Sequence, residues 1–183
     1  MSSNHQTRVA AAATSLEAMT AAFLAYLNHL PEATAAQPLP GGWTPSEHAA
    51  HLALTNEVFY SVLQGGAGCT GPIAAFPGTS AFNDAQWHLD APPAPVAAPS
   101  ILFAPSGISR TAAAAQLRAS VARLSPAIAS LDPALAVQCV QLPWAIVSVY
   151  QMCEWGGGHT SRHLGQVNRE LQLAAIGRAP VAS

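Results

Sequence analysis

The sequence predicts an all-α fold: a four-helix bundle in one domain over residues 1–183, with a long loop between the second and third helices. Three observations carry this. Four stretches place apolar residues at three- and four-residue steps, the spacing of a helix face. Alanine dominates the apolar residues, and alanine with leucine favours helix over strand. Pro and Gly cluster between these stretches and punctuate them. At 183 residues the chain is long enough to bury one core.

The first helix is expected from about Thr7 to Leu30, where Leu16, Met19, Phe23, Leu27 and Leu30 make one stripe. Pro31 stops it, and residues 32–42 form a Pro/Gly/Ala connection. Trp43-Thr-Pro-Ser-Glu47 opens the second helix: Thr44 is the N-cap, Pro45 takes the first helical position and Glu47 completes a capping box. This helix runs to about Gln64, with Leu52, Leu54, Val58, Phe59, Val62 and Leu63 on its apolar arc. His48 and His51 both fall inside the arc, roughly 60° apart, and periodicity does not say which faces the core more squarely. Residues 65–109 are rich in Gly and Pro; a functional lid carrying Trp87 and His88 and a disordered linker both fit that composition.

A third helix is expected over Arg110 to Ser130, where Ala114, Leu117, Val121, Leu124 and Ile128 alternate as in a bundle seam. Pro126 predicts an early end or a kink. A connector with a strand-like piece around Val137 to Leu142 leads to the fourth helix, from near Ile146 to about Ile176. Its inward face carries Val149, Met152, Trp155, His159, His163, Gln166, Val167, Glu170 and Ala174. Ser161, Gly165, Asn168, Arg169 and Gln172 face away. Gly156-Gly157-Gly158 sits in the middle of this helix pattern at about 1 kcal/mol per glycine, which calls for close approach of another helix, room for a ligand, or a local break.

Composition narrows the function. Charged residues are only 9% of the chain and the net charge is −2, so there is no clustered basic footprint for nucleic acid. The three cysteines, Cys69, Cys139 and Cys153, sit far apart in no CxxC pattern, as in a reduced, cytoplasmic protein. No long apolar run is free of polar interruption, so no membrane span is expected, and the polar start with Glu17 argues against a secretory leader. Histidines, by contrast, equal all Lys and Arg together at seven each.

The chemistry points to His159-Thr-Ser-Arg-His163. Two histidines four apart on a helix lie about 40° from each other around the axis, so both rings reach one spot. Imidazole is the commonest protein ligand for zinc, nickel and similar ions, and such a pair supplies two arms of a metal site. Position 160 is Thr, so the zinc-protease pattern with its adjacent glutamate base is absent. No nucleophile elbow and no phosphate-binding Gly-rich loop is present either.

Trp43-Thr-Pro-Ser-Glu-His-Ala-Ala-His-Leu52 resembles the W-[ST]-x-x-E-x-x-x-H-L segment of the DinB-like superfamily, which is distinct from the translesion polymerase sometimes given that name. His159-Thr-Ser-Arg-His-Leu-Gly-Gln166 is similar to its H-x-x-x-H-x-x-Q segment. The resemblance implies a bundle that holds a divalent metal with His51, His159 and His163, His51 being the histidine that precedes Leu in the motif. Zinc and nickel are expected first, with iron and manganese also suited. Relatives include thiol S-transferases using bacillithiol or mycothiol and a maleylpyruvate isomerase. A small-molecule substrate, a low-molecular-weight thiol and a homodimer are therefore expected.

Three neutral imidazoles leave part of a metal's coordination sphere open, the catalytic rather than the structural pattern. That suits a metal-dependent thiol transferase or a hydrolase. A metal-binding bundle without turnover, serving stress-related sequestration, and a bundle whose histidines merely pack stand beside it. His48 is expected as an outer partner or a core polar group, with ligation the alternative. Glu47 is expected as a cap, and Glu57 as a solvated or bundle-edge carboxylate, with orienting a ligand or shuttling protons the alternative. Glu170 is expected as a solvated or bundle-edge carboxylate with the same alternative, Gln166 bonding across the bundle, Arg162 at the surface or else meeting an anionic substrate, and Trp43, Trp144 and Trp155 in the core.

Overall fold

A computed structural model of the protein describes residues 2–66, 72–74, 100–142 and 146–176. Cys69, Trp87, His88, Trp144 and most of the loop between the second and third long helices lie outside the described residues. The long helices are α1 (Ser2–His29), α3 (Pro45–Leu63), α4 (Arg110–Ala129) and α6 (Val149–Ile176), with short α2 (Glu32–Ala35) and α5 (Pro133–Ala136) in the connections. A 3-10 turn spans Ser100–Leu102, and β1 (Cys139–Gln141) pairs antiparallel with β2 (Ile146–Ser148). Among the described residues the fold is all-α apart from this hairpin and an isolated bridge between Ala74 and Cys139.

Helix α1 packs against α4 and α6, and α3 packs against the same two, so the ring runs α1–α4–α3–α6. The α3–α6 seam is the most sparsely packed of the four. The core takes Leu16, Phe23 and Leu27 from α1, Leu52, Phe59 and Val62 from α3, and Leu117, Leu124 and Ile128 from α4, all buried. Residues Asn4–His29 are long and apolar enough to cross a membrane by length and composition. Their large apolar side chains, however, serve the bundle, and the exposed positions carry alanines and polar residues.

Several boundaries differ from the sequence expectation for identifiable reasons. Helix α1 starts earlier because His5 and Arg8 are tied down. His5 binds the Tyr150 hydroxyl and the Leu131 carbonyl, and Arg8 pairs with Glu154 at 2.9 Å. Helix α6 starts later: Ser148 Oγ accepts from Gln151 N at 3.1 Å while Gln151 Oε1 accepts from Ser148 N at 3.0 Å. That reciprocal cap marks the start, and β-branched Ile146 and Val147 pair with β1 instead. Helix α4 does not end early at Pro126 but continues to Ala129. The expected capping box of α3 is present, with Glu47 N donating to Thr44 Oγ1 at 3.0 Å and Thr44 N to Glu47 Oε2 at 2.8 Å.

The triple glycine stays helical inside α6. A Cβ on Gly157 would lie 3.1 Å from the backbone carbon of Ser15, and one on Gly156 would lie 3.6 Å from Leu16 Cδ1. Close approach of α1 is therefore the reason for glycine at position 157.

Candidate metal centre

The site forms in the loose α3–α6 seam. His51 comes from α3; His159 and His163, one turn apart, come from α6. All three are buried, and one nitrogen from each lies within 4.8 Å of the others. The Nε2 atoms of His163 and His159 are 2.9 Å apart, and those of His51 and His159 3.3 Å apart. Two nitrogens bound to one ion at about 2.0–2.1 Å stand roughly 2.9–3.4 Å apart at coordination angles of about 90–110°. The cluster can chelate a divalent metal with little movement.

The rings are fixed from behind. His51 Nδ1 donates to the Leu102 carbonyl at 2.9 Å, which leaves its Nε2 lone pair bare and aimed at the cluster. Trp155 stacks on His159 with centroids 4.1 Å apart and planes 16° from parallel. Trp43 covers the other side, lying 4.8 Å from His51 and parallel to within 11° of His163. Beyond Trp43, Phe103 is 55% exposed, so the rim next to the site is apolar.

Electrostatics keep the imidazoles neutral. Burial pushes His159 and His163 well below the usual histidine value, and the neighbouring histidines and Arg162 push the same way. Burial lowers His51, partly offset by its hydrogen bond to Leu102, and lowers His48 to about 4 against the pull of Glu170. Neutral imidazole is the form that binds a cation.

A pH prediction follows for the metal-free protein. These histidines bind protons more weakly folded than unfolded, so stability is full above about pH 6.5 and falls as pH drops towards 4. His48 alone accounts for about 3 kcal/mol of that loss, from the gap between its usual value and about 4. Chemical denaturation of the metal-free protein between pH 7.5 and 4.5 checks it; a flat profile would show that the cluster titrates normally.

Other singled-out residues divide clearly. Both helix-α3 histidines are buried, but only His51 joins the three-nitrogen cluster; His48 contacts His163 through Nδ1 at 2.8 Å. Gln166 does not bond across the bundle: its amide donates along α6 to Glu170 Oε1 at 2.9 Å. Glu170 Oε2 also accepts from Gly41 N at 3.0 Å, where a Cβ would crowd the carboxylate. Glu47 caps α3 and accepts from Gly107 N at 3.3 Å. Glu57 pairs with Arg123 at the surface, and Arg162 is exposed. Trp155 is core as expected, whereas Trp43 is half-buried because it roofs the site. The missed contributor is Leu102, whose backbone carbonyl has no side-chain signature in a sequence.

The family model of the DinB superfamily matches residues 15–167. The chain belongs to the DinB superfamily. The match takes in His51, His159, His163 and the helices that carry them, so this DinB protein has a buried three-histidine cluster within the family region. No curated protein and no solved structure matches the chain significantly.

Proposed function

We propose that this DinB protein is a metal-dependent enzyme in which His51, His159 and His163 hold a divalent cation, and that it transfers a low-molecular-weight thiol to a small electrophile. The observation that carries the reading is the convergence of three neutral, buried imidazoles on one point beside an apolar rim. A cation held by three imidazoles keeps open positions and lowers the pKa of a coordinated thiol or water. The protein's own residues do the rest. Leu102 orients His51, Trp155 fixes the plane of His159, and Trp43 with Phe103 offers apolar surface to the organic part of a substrate. In the reaction the thiolate sulfur bonds to the electrophilic carbon, the leaving group departs with its electron pair, and the thiol proton passes to solvent.

The test has two arms. Elemental analysis of purified protein should find about one divalent metal per chain. Incubation with a small thiol and a chlorinated aromatic electrophile should give thioether and chloride, at a rate abolished by a chelator and restored by metal. Hydrolysis of an ester under the same conditions without thiol would move the assignment to a hydrolase. Metal without either activity would leave a sequestering bundle, and absence of metal would overturn the reading.

A further inference from the structure

A fourth buried histidine lies behind the cluster. We propose that His48 is a positioning residue: its Nδ1 accepts the Nδ1 proton of His163 and so keeps the Nε2 lone pair of His163 bare and facing the cluster. This rests on the metal reading of the same site.

The two Nδ1 atoms are 2.8 Å apart and both side chains are buried, so one proton lies between them. Either ring could carry it. The rest of the site selects between the two. Leu102 O can only accept, so His51 holds its proton on Nδ1 and its Nε2 is bare. If His48 were the donor, His163 would carry its proton on Nε2 and give it to His159 Nε2. Two bare nitrogens, those of His51 and His159, would then face each other at 3.3 Å. If His163 is the donor, His159 carries the Nε2 proton and shares it between His163 at 2.9 Å and His51 at 3.3 Å. The bare nitrogens of His51 and His163 are then both served by that one N–H, whereas the first arrangement leaves His51 Nε2 facing a second lone pair. His48 therefore does for His163 what the Leu102 carbonyl does for His51. Once His159 holds its proton on Nδ1 instead, three bare Nε2 atoms face one point, the arrangement a cation resolves.

The Glu170 carboxylate, fixed by Gly41 N and the Gln166 amide, pulls on the His48 ring more strongly than Glu47 does. Outer partners of this kind set ligand orientation and basicity in metal sites.

The experiment compares wild type with His48→Asn, whose Oδ1 can stand where Nδ1 stands and accept, and His48→Phe, which keeps a ring without an acceptor. Long-range 15N–1H correlation spectra of the metal-free proteins at neutral pH read the His163 tautomer. Wild type and His48→Asn should show the proton on Nδ1, and His48→Phe should shift it towards Nε2. Zinc affinity, from chelator competition, should fall about 10- to 100-fold in His48→Phe and stay near wild type in His48→Asn. A wild-type His163 protonated on Nε2, or equal behaviour of the two variants, would overturn the proposal. If wild type binds no zinc, the metal reading fails while the spectra still decide this one. If His48→Phe does not fold, the wild-type and His48→Asn spectra carry the decision.

Discussion

Replacing His159 or His163 by alanine will take the purified protein from about one bound divalent metal per chain to none after dialysis against a chelator. Both nitrogens come from one helix, one turn apart, and His159 Nε2 is the atom that approaches each of the other two. Losing it leaves His51 and His163 without the nitrogen that bridges them. Losing His163 also leaves His48 Nδ1 without its partner and Trp43 without its parallel neighbour. A thermal melt gives a second readout. At a thousand-fold excess over Kd, metal binding should stabilise wild type by about 4 kcal/mol. For a chain of 183 residues this raises Tm on the order of 10 °C. Neither variant should respond. Metal content equal to wild type in both variants would mean that the ion sits elsewhere and that the cluster is only a packing feature.

The second large effect concerns the approach of α1 to α6. Gly157→Val should destabilise the fold by about 3 kcal/mol, because the added carbons enter space already held by the Ser15 backbone, 3.1 Å from the first of them. Gly165→Ala, on the exposed side of the same helix with nothing within 4 Å, should instead stabilise by up to about 1 kcal/mol. Denaturant unfolding of the two metal-free variants checks the contrast. Similar stabilities for both would show that α1 can move away at little cost. Opposite signs within one helix would separate glycine needed for helix contact from glycine that only weakens the helix.

Much of this scaffold is legible in local residues. The box at Thr44 and Glu47 predicts where α3 begins, because both partners lie within one turn and need nothing else in the molecule. Ser148 and Gln151 form the same kind of signal, which dates the start of α6 better than its apolar pattern does. The seam residues of α4, from Ala114 to Ile128, are all buried as their spacing requires. The early start of α1 was not legible, since His5 and Arg8 are held by Tyr150, Leu131 and Glu154, more than a hundred residues away.

The sequence by itself determined the helical rods and the paired arms of α6, since a four-residue step on a helix puts two rings on one side whatever the surroundings. It also carried the two motifs by which the chain resembles the DinB superfamily. Periodicity did not separate His51 from His48, which share one arc of α3; the resemblance singled out His51, and only the tertiary structure gives the physical reason. The rotation of α3 against α6 turns one ring to His159 and the other to the back of His163. The same packing decided that Leu102 holds His51 and that Trp43 roofs the site. Those contacts join segments distant in the chain, and their geometry follows from how whole helices pack rather than from any local pattern.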